Sequence, residues 1–389
     1  MKRTKVYEYD RRNREQVVEA ISAQAGQVIS WSLFAQEGER IAFPVGTQSV
    51  FVDASSLFAM EERAAMSISY LEKIIAVILR TTKYKMFLIV ERKYSQIIKD
   101  LVYYRVSKIC SLEEELQLQN CVCKNIVDIS QKEYDAVFSL VQGNLFGNEA
   151  FKEQLKKEME KFRVFNLAGY QAVFSVLLCG NTGIGKTELA RLLHHGLAGG
   201  EPMVKINFGN YSSENSLNSL IGSPRGYVGS NKGELSEKLA NSRSTVILID
   251  EFEKASKPVY NFFLQLLEDG KFTDSLGREY DLNKYIIIFT SNLQYEKITE
   301  RLSPELCSRY NLIYRMEDLS AEEKSEYVSF KVDNLLQIVE KQKNISVPAD
   351  VIQQIKDIDV NEYQDMRRLN GEMMRRVAQR IYPLIFSGS

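Results

Sequence analysis

Gly180-Asn181-Thr182-Gly183-Ile184-Gly185-Lys186-Thr187 has the spacing of a phosphate cradle, G-x-x-x-x-G-K-[ST]. The glycines let successive backbone N–H groups curl around phosphate oxygens. Lys186 brings a point charge to the β- and γ-phosphates, and the Thr187 hydroxyl can ligate Mg²⁺. An apolar strand pattern precedes the loop and a helical pattern, Glu188 to His194, follows it. A chance glycine turn would not supply both flanks. The second chemical feature is Val246-Ile247-Leu248-Ile249-Asp250-Glu251, an apolar run ending in two carboxylates. On a sheet shared with the loop, Asp250 would hold Mg²⁺ directly or through water, and Glu251 would polarise the water that attacks the γ-phosphorus. Two solvated acids at a turn are the plain alternative, but that reading ignores the phosphate loop. The chemistry implied is ATP hydrolysis.

The elements that must position these groups alternate. From about 145 to 312, strand patterns at Phe174 to Cys179, Met203 to Phe208, Val246 to Ile249 and Tyr285 to Thr290 are separated by helical stretches. That order implies a parallel sheet with helices on both faces. Beyond it, Asn311 to Met316 is strand-like, and Ala321 to Lys343 and Gln364 to Phe386 read as helices of a small, mostly α part. The first 140 residues read as a separate α/β region. Its strand candidates are Gln48 to Asp53, Lys85 to Val90 and Asn125 to Ile129, with helical spacing over 57–80 and from Tyr94 to Val106. Ser130 and Glu133 form a capping-box pattern opening a helix that ends near Gly143. The domains expected are therefore 1–142, 143–312 and 313–389.

The 389 residues carry 44% apolar and 26% charged side chains with a net charge of −1, enough for several cores and no field to hold nucleic acid or an anionic membrane. No apolar run approaches the ~20 residues of a membrane span, and the charged start lacks a signal-peptide pattern, so a cytoplasmic setting is expected. The five cysteines make no disulfide framework. Cys121 and Cys123 could begin a metal pair but lack a second pair at matching spacing, and two thiols in a strand or loop is the plainer reading. His194-His195, the only histidines, are expected to face solvent from a helix.

The region from about 145 to 388 resembles the AAA+ class of Clp unfoldases, most closely the second ATPase module of ClpB-type disaggregases. Besides the two features above, the resemblance is carried by Ile221-Gly222-Ser223-Pro224-Arg225-Gly226-Tyr227-Val228-Gly229, by Asp250-Glu251-Phe252-Glu253-Lys254-Ala255 and by Leu264 to Asp274. It implies the AAA+ fold, ATP and Mg²⁺ as ligands, and a hexameric ring. Gly180 through Glu188 and Asp250 would bind the nucleotide, with Thr187 and Asp250 on the metal. Phe146-Gly147-Asn148 is similar to the segment lining the adenine pocket. Thr290-Ser291-Asn292 matches the sensor 1 strand end, so Asn292 would orient the attacking water beside Glu251. Ser303 to Arg309 is similar to the arginine-finger segment, so Arg309 would reach a neighbouring subunit's γ-phosphate; a surface ion pair is the alternative for this residue. Asp365-Met366-Arg367 occupies the sensor 2 place, but the family's glycine and the proline after the arginine are missing, which leaves Arg368 a competitor to Arg367. Tyr227 and Val228 would grip polypeptide in the axial pore, the alternative being a tyrosine packed on its own domain.

This implies an ATP-driven unfoldase threading polypeptide through a ring. The competing reading is an assembly or signalling switch that presents the N-terminal domain to a partner. The resemblance leaves that domain unassigned; it could bind a client or an adaptor. A weaker option joins Asp53, Glu91 and Asp128 at strand ends as a metal-dependent effector site, against solvated turns and caps. Between Asn292 and Arg309 there is no Ile-Gly-Phe/Leu tripeptide of the kind that docks a ClpP-type protease, which favours remodelling over delivery to a proteolytic chamber.

Overall fold

The computed structural model describes residues 3–37, 41–58, 64–80, 84–118, 124–211, 216–223, 233–275 and 277–386. Cys121 and Cys123, and the Tyr227 and Val228 of the pore-loop reading, lie outside them. The chain forms two compact units, Met1–Cys123 with Glu237–Arg243, and Lys124–Ser236 with Ser244–Ser389.

In the first unit β1 (Thr4–Tyr9), β2 (Gly26–Ser30), β3 (Ser49–Asp53), β4 (Lys85–Glu91) and β5 (Val106–Ser111) make a parallel sheet ordered β2-β3-β4-β1-β5. Period-two alternation divides its side chains. Val6, Val50, Val52, Leu88 and Val90 share a core with Leu71, Ile75 and Ile98 of the helices Ala64–Arg80 and Arg92–Val102. Tyr7, Tyr9, Phe51 and Ile89 join Val17 and Ile21 of the helix Arg14–Ala23 in a second core.

Two local expectations fail here. Asn125 to Ile129 is a turn, because the Asn125 side chain accepts from the N–H groups of Val127 (3.1 Å) and Asp128 (2.9 Å) and bends the chain. The acids proposed for a metal are separately engaged. Asp128 belongs to the second unit and pairs with Lys284 at 2.7 Å. Asp53 accepts from Tyr9 (2.7 Å) and Ser55 (2.6 Å), and Glu91 pairs with Lys93 at 3.0 Å. Among the described residues no group of three or more His, Cys, Asp or Glu could hold a metal.

The second unit contains β6 (Phe174–Cys179), β7 (Val204–Asn207), β8 (Val246–Asp250), a hairpin of β9 (Lys271–Thr273) and β10 (Glu279–Asp281), then β11 (Ile286–Thr290) and β12 (Leu312–Arg315). Its five-stranded parallel sheet runs β12-β6-β11-β8-β7. β6 and β11 are buried along their whole length, which is why they read as unbroken apolar runs. On one face Val176, Leu178, Leu248 and Ile288 meet the helices Gln131–Asn144, Glu149–Leu167 and Lys186–Ala198. Phe289 also anchors an aromatic cluster, its ring 4.8 Å from Phe252, 5.2 Å from Phe263 and 5.2 Å from Tyr310.

The helix Gln131–Asn144, grouped with the N-terminal region in the sequence reading, packs in the second unit through Tyr134, Val137, Phe138 and Val141. Its capping box between Ser130 and Glu133 is present. A separate helical core gathers Val332, Leu336, Ile355, Leu369, Met373 and Val377 from Ala321–Lys343, Ala349–Lys356 and Met366–Phe386, with Leu319 from the segment before them.

Candidate functional site

At the carboxyl edge of the second sheet, where ligands of open parallel sheets gather, β7 and the connections after β6, β8 and β11 face one cleft. Its volume is about 500 Å³, within the range of small-molecule sites. The loop after β6 is shaped by backbone conformations open to glycine. Gly183 (φ +89°) and Gly185 (φ +99°) are left-handed, and a Cβ on Gly185 would sit 3.0 Å from Leu145. Gly185 caps the helix Lys186–Ala198, so the positive end of that helix opens on the cleft. Lys186 is buried, and its ammonium donates to the carbonyls of Gly180 and Asn181 (both 2.6 Å) and to Asn292 Oδ1 (3.1 Å). Burial pushes its pKa down to about 8, against the pull of Glu253, Cys179 and Asp250. A cation so placed gains from any anion that enters.

β8 and β11 bring up the acids. Burial would raise the Asp250 pKa. It is nevertheless held below the ordinary carboxylate range by the hydrogen bonds from Lys205 and Thr290. Lys205 Nζ lies 2.7 Å from Oδ2, and Thr290 Oγ1 donates to Oδ1 at 2.6 Å. The same Thr290 oxygen accepts from the N–H of Glu251 at 3.3 Å. Glu251 itself adopts φ +57°, a left-handed conformation uncommon for a side chain of its size, and its carboxylate pairs with Lys254 at 2.7 Å. The Asn292 N–H donates to buried Glu253 at 3.2 Å, which fixes the end of β11 over the phosphate loop. A lysine, two acids and an amide thus converge from three separate strand ends.

Residues 171–342 match the AAA domain (Cdc48 subfamily). The chain is 37% identical over 170 residues to the negative regulator of genetic competence ClpC/MecB of Bacillus subtilis, an alignment covering 42% of this chain and 21% of that protein. It is 29% identical over 281 residues to the ATP-dependent Clp protease ATP-binding subunit ClpE of Lactococcus lactis, covering 65% and 38%. It is 41% identical over 133 residues to the chaperone protein ClpB of Enterococcus faecalis, covering 34% and 15%. Residues 171–342 thus carry an AAA domain, and the proteins this chain resembles include Clp ATP-binding subunits and a ClpB chaperone. It spans well under half the length of these three relatives.

Within the AAA domain and its flanks, Phe146, Thr182 through Glu188, Asp250, Glu251, Asn292 and Arg367 line the cleft. Phe146 meets Tyr327 edge to face and Phe330 at a tilt, with ring centroids 5.3 Å apart in both pairs. Gly147 (φ +65°) and Asn148 turn the chain beside Leu319, and the Asn148 side chain exchanges hydrogen bonds with the backbone of Glu317. Gly180 and Asn181 contribute through their carbonyls, and Asn181 also bonds Asp318 at 2.8 Å. Arg367 lines the cleft whereas Arg368 does not. Arg309 is absent from the cleft lining and pairs with Glu268 at 3.0 Å. His194, expected to face solvent, is partly buried, with Nδ1 2.8 Å from Ser244 Oγ and Nε2 2.9 Å from the Glu201 carbonyl.

Several lining residues escaped the sequence reading. Lys205 and Asn207 alternate along β7, and the β7–β8 register sets Asn207 opposite Asp250. The available signal was this strand pairing, which no contiguous motif encodes. Tyr327, Lys331 and Asn370 reach the cleft from the helical part. Tyr327 donates to Asn370 at 2.8 Å, linking the helices Ala321–Lys343 and Met366–Phe386.

Proposed function

We propose that this chain hydrolyses ATP in a ring of identical copies and uses the cycle to remodel polypeptide clients. The observation that carries the reading is the convergence of Lys186, Asp250, Glu251, Asn292 and Arg367 on one cleft. Phe146 and Leu319 give that cleft an apolar end, suited to a base. In this reading Lys186 and Arg367 neutralise charge on the phosphates, and Asn292 holds the attacking water. Glu251 takes that water's proton as the bond between the β-γ bridging oxygen and the γ-phosphorus breaks, giving ADP and phosphate. The Thr187 hydroxyl and the Asp250 carboxylate, both oxygen donors on the cleft, suit Mg²⁺. When bound there, the ion would screen phosphate charge.

Arg309, which lies outside the cleft of its own chain, would serve the cleft of the next copy. Donor and acceptor faces then differ, and such head-to-tail contacts close into rings. Residues 313–389 act as the small domain that carries Arg367 onto the nucleotide, and the first unit selects the client or adaptor. The protease subunit and chaperone names of the relatives support a polypeptide client.

Lys186→Ala is expected to weaken nucleotide binding about 10- to 100-fold, the loss of charge-assisted hydrogen bonds. Titration with a fluorescent ATP analogue measures it, and unchanged affinity would remove the basis of the reading. Threading rests on Tyr227. Tyr227→Ala should keep ATP turnover within about twofold while unfolding of a tagged fluorescent client stops. Client unfolding at the parental rate would favour the assembly-switch reading instead.

A further inference from the structure

Helix Lys257–Asp269 ends in two acids, Glu268 and Asp269, with no basic residue in its last turn. Carboxylates at the negative end of a helix are disfavoured by its dipole. What offsets it is Arg309, whose Nη2 lies 3.0 Å from Glu268 Oε1.

Both partners stand on fixed backbone. Glu268 rides a helix anchored by buried Phe263, Leu266 and Leu267 and closed by Gly270 at φ +68°. Arg309 caps the short helix Pro304–Ser308, its N–H directed to the carbonyls of Leu306 and Cys307, and its own carbonyl accepts from Ser175 Oγ at 3.0 Å. The side chains are 37% and 53% exposed, and an ion pair so exposed contributes little to stability. Its physical effect is on orientation: a long, flexible arginine is biased toward one direction. A guanidinium carries five N–H donors, so a carboxylate on Nη2 does not exhaust its capacity for a phosphate.

We propose that Glu268 is a positioning residue that holds Arg309 ready on the face this chain offers to a second copy's nucleotide. The inference rests on the trans role given to Arg309 above. It fits the observation that Arg309 takes no part in lining its own cleft.

The test uses the full chain assembled with ATP, comparing Glu268→Ala, Glu268→Gln, Arg309→Ala and the double variant Glu268→Ala/Arg309→Ala by phosphate release. Circular dichroism and sedimentation verify fold and assembly. Glu268→Ala should lower kcat about two- to fivefold, the most an exposed ion pair can contribute, with KM within about twofold, because the bound state is intact and only the transition state loses a correctly aimed charge. Glu268→Gln keeps an oxygen acceptor at the same reach and should retain most of the rate, which also covers the case in which the alanine variant fails to fold. The double variant should be no slower than Arg309→Ala alone. A parental kcat in Glu268→Ala alongside a slow Arg309→Ala overturns the positioning role and leaves the trans arginine standing. Multiplying losses in the double variant overturn it too. A parental rate in assembled Arg309→Ala strikes instead at the proposed function.

Discussion

Glu251→Gln should bind ATP with near-parental affinity yet hydrolyse it about 10²- to 10⁴-fold more slowly, the range expected when a general base is removed. Glutamine keeps the volume and one oxygen of the side chain, so the cleft should hold its shape. What it loses is the ability to take a proton. Glu251 follows Asp250 at the end of β8, and its N–H is tied to Thr290 Oγ1, so its backbone is set by the sheet. Lys254 lies 2.7 Å from one oxygen of its carboxylate, Oε2, and a carboxylate so engaged keeps further acceptor sites for a water. Equilibrium binding and phosphate release on one preparation separate the two effects. Turnover within a few-fold of the parent would move the base elsewhere in the cleft.

The cleft was legible from sequence where its chemistry is written in contiguous residues. The phosphate loop and the Asp250-Glu251 pair each follow a strand buried on both faces, and such strands show as unbroken apolar runs. Asn292, at the end of fully buried β11, was placed by the family resemblance alone, since an asparagine after an apolar strand carries no chemistry of its own. Lys205 and Asn207 were not, because β7 is only half buried and its polar positions become meaningful only once it lies beside β8.

In the first unit β1 escaped notice since TKVYEY mixes charged and apolar residues, and β2 is short and opens on Gly26. The opposite error at Asn125 to Ile129 has a local cause. Its apolar residues Ile126, Val127 and Ile129 are buried in the second unit's core, but an Asn125 side chain bonded two and three residues ahead favours a turn over a strand. The helix Gln131–Asn144 was delimited correctly at its start by the capping box, yet its allegiance depended on partners distant in sequence. Gly196 permits close approach of the helix Lys186–Ala198, with a Cβ there 3.1 Å from Val137. Helical spacing reveals an apolar face but does not say what covers it.

Arg309→Ala carries the largest expected effect, a loss of about 10³-fold or more in turnover by the assembled protein with nucleotide affinity little changed. The reason is positional. Within one copy the cleft already contains Lys186 and Arg367, whereas Arg309 sits at the end of Pro304–Ser308 and pairs with Glu268. If its charge acts at all on the transferring phosphoryl group, it acts on another copy's. That geometry makes a complementation experiment decisive. Arg309→Ala has an intact cleft and lacks the donor; Lys186→Ala has an intact donor and lacks the cleft's phosphate contact. Each alone should be nearly inactive, and mixing them should restore phosphate release, because a Lys186→Ala copy lends its arginine to an Arg309→Ala neighbour. Recovery should rise and then fall with the mixing ratio, since only junctions between unlike copies in the right order are competent. Full turnover by Arg309→Ala, or mixtures no faster than their parts under conditions where both assemble, would reduce Arg309 to a surface ion pair.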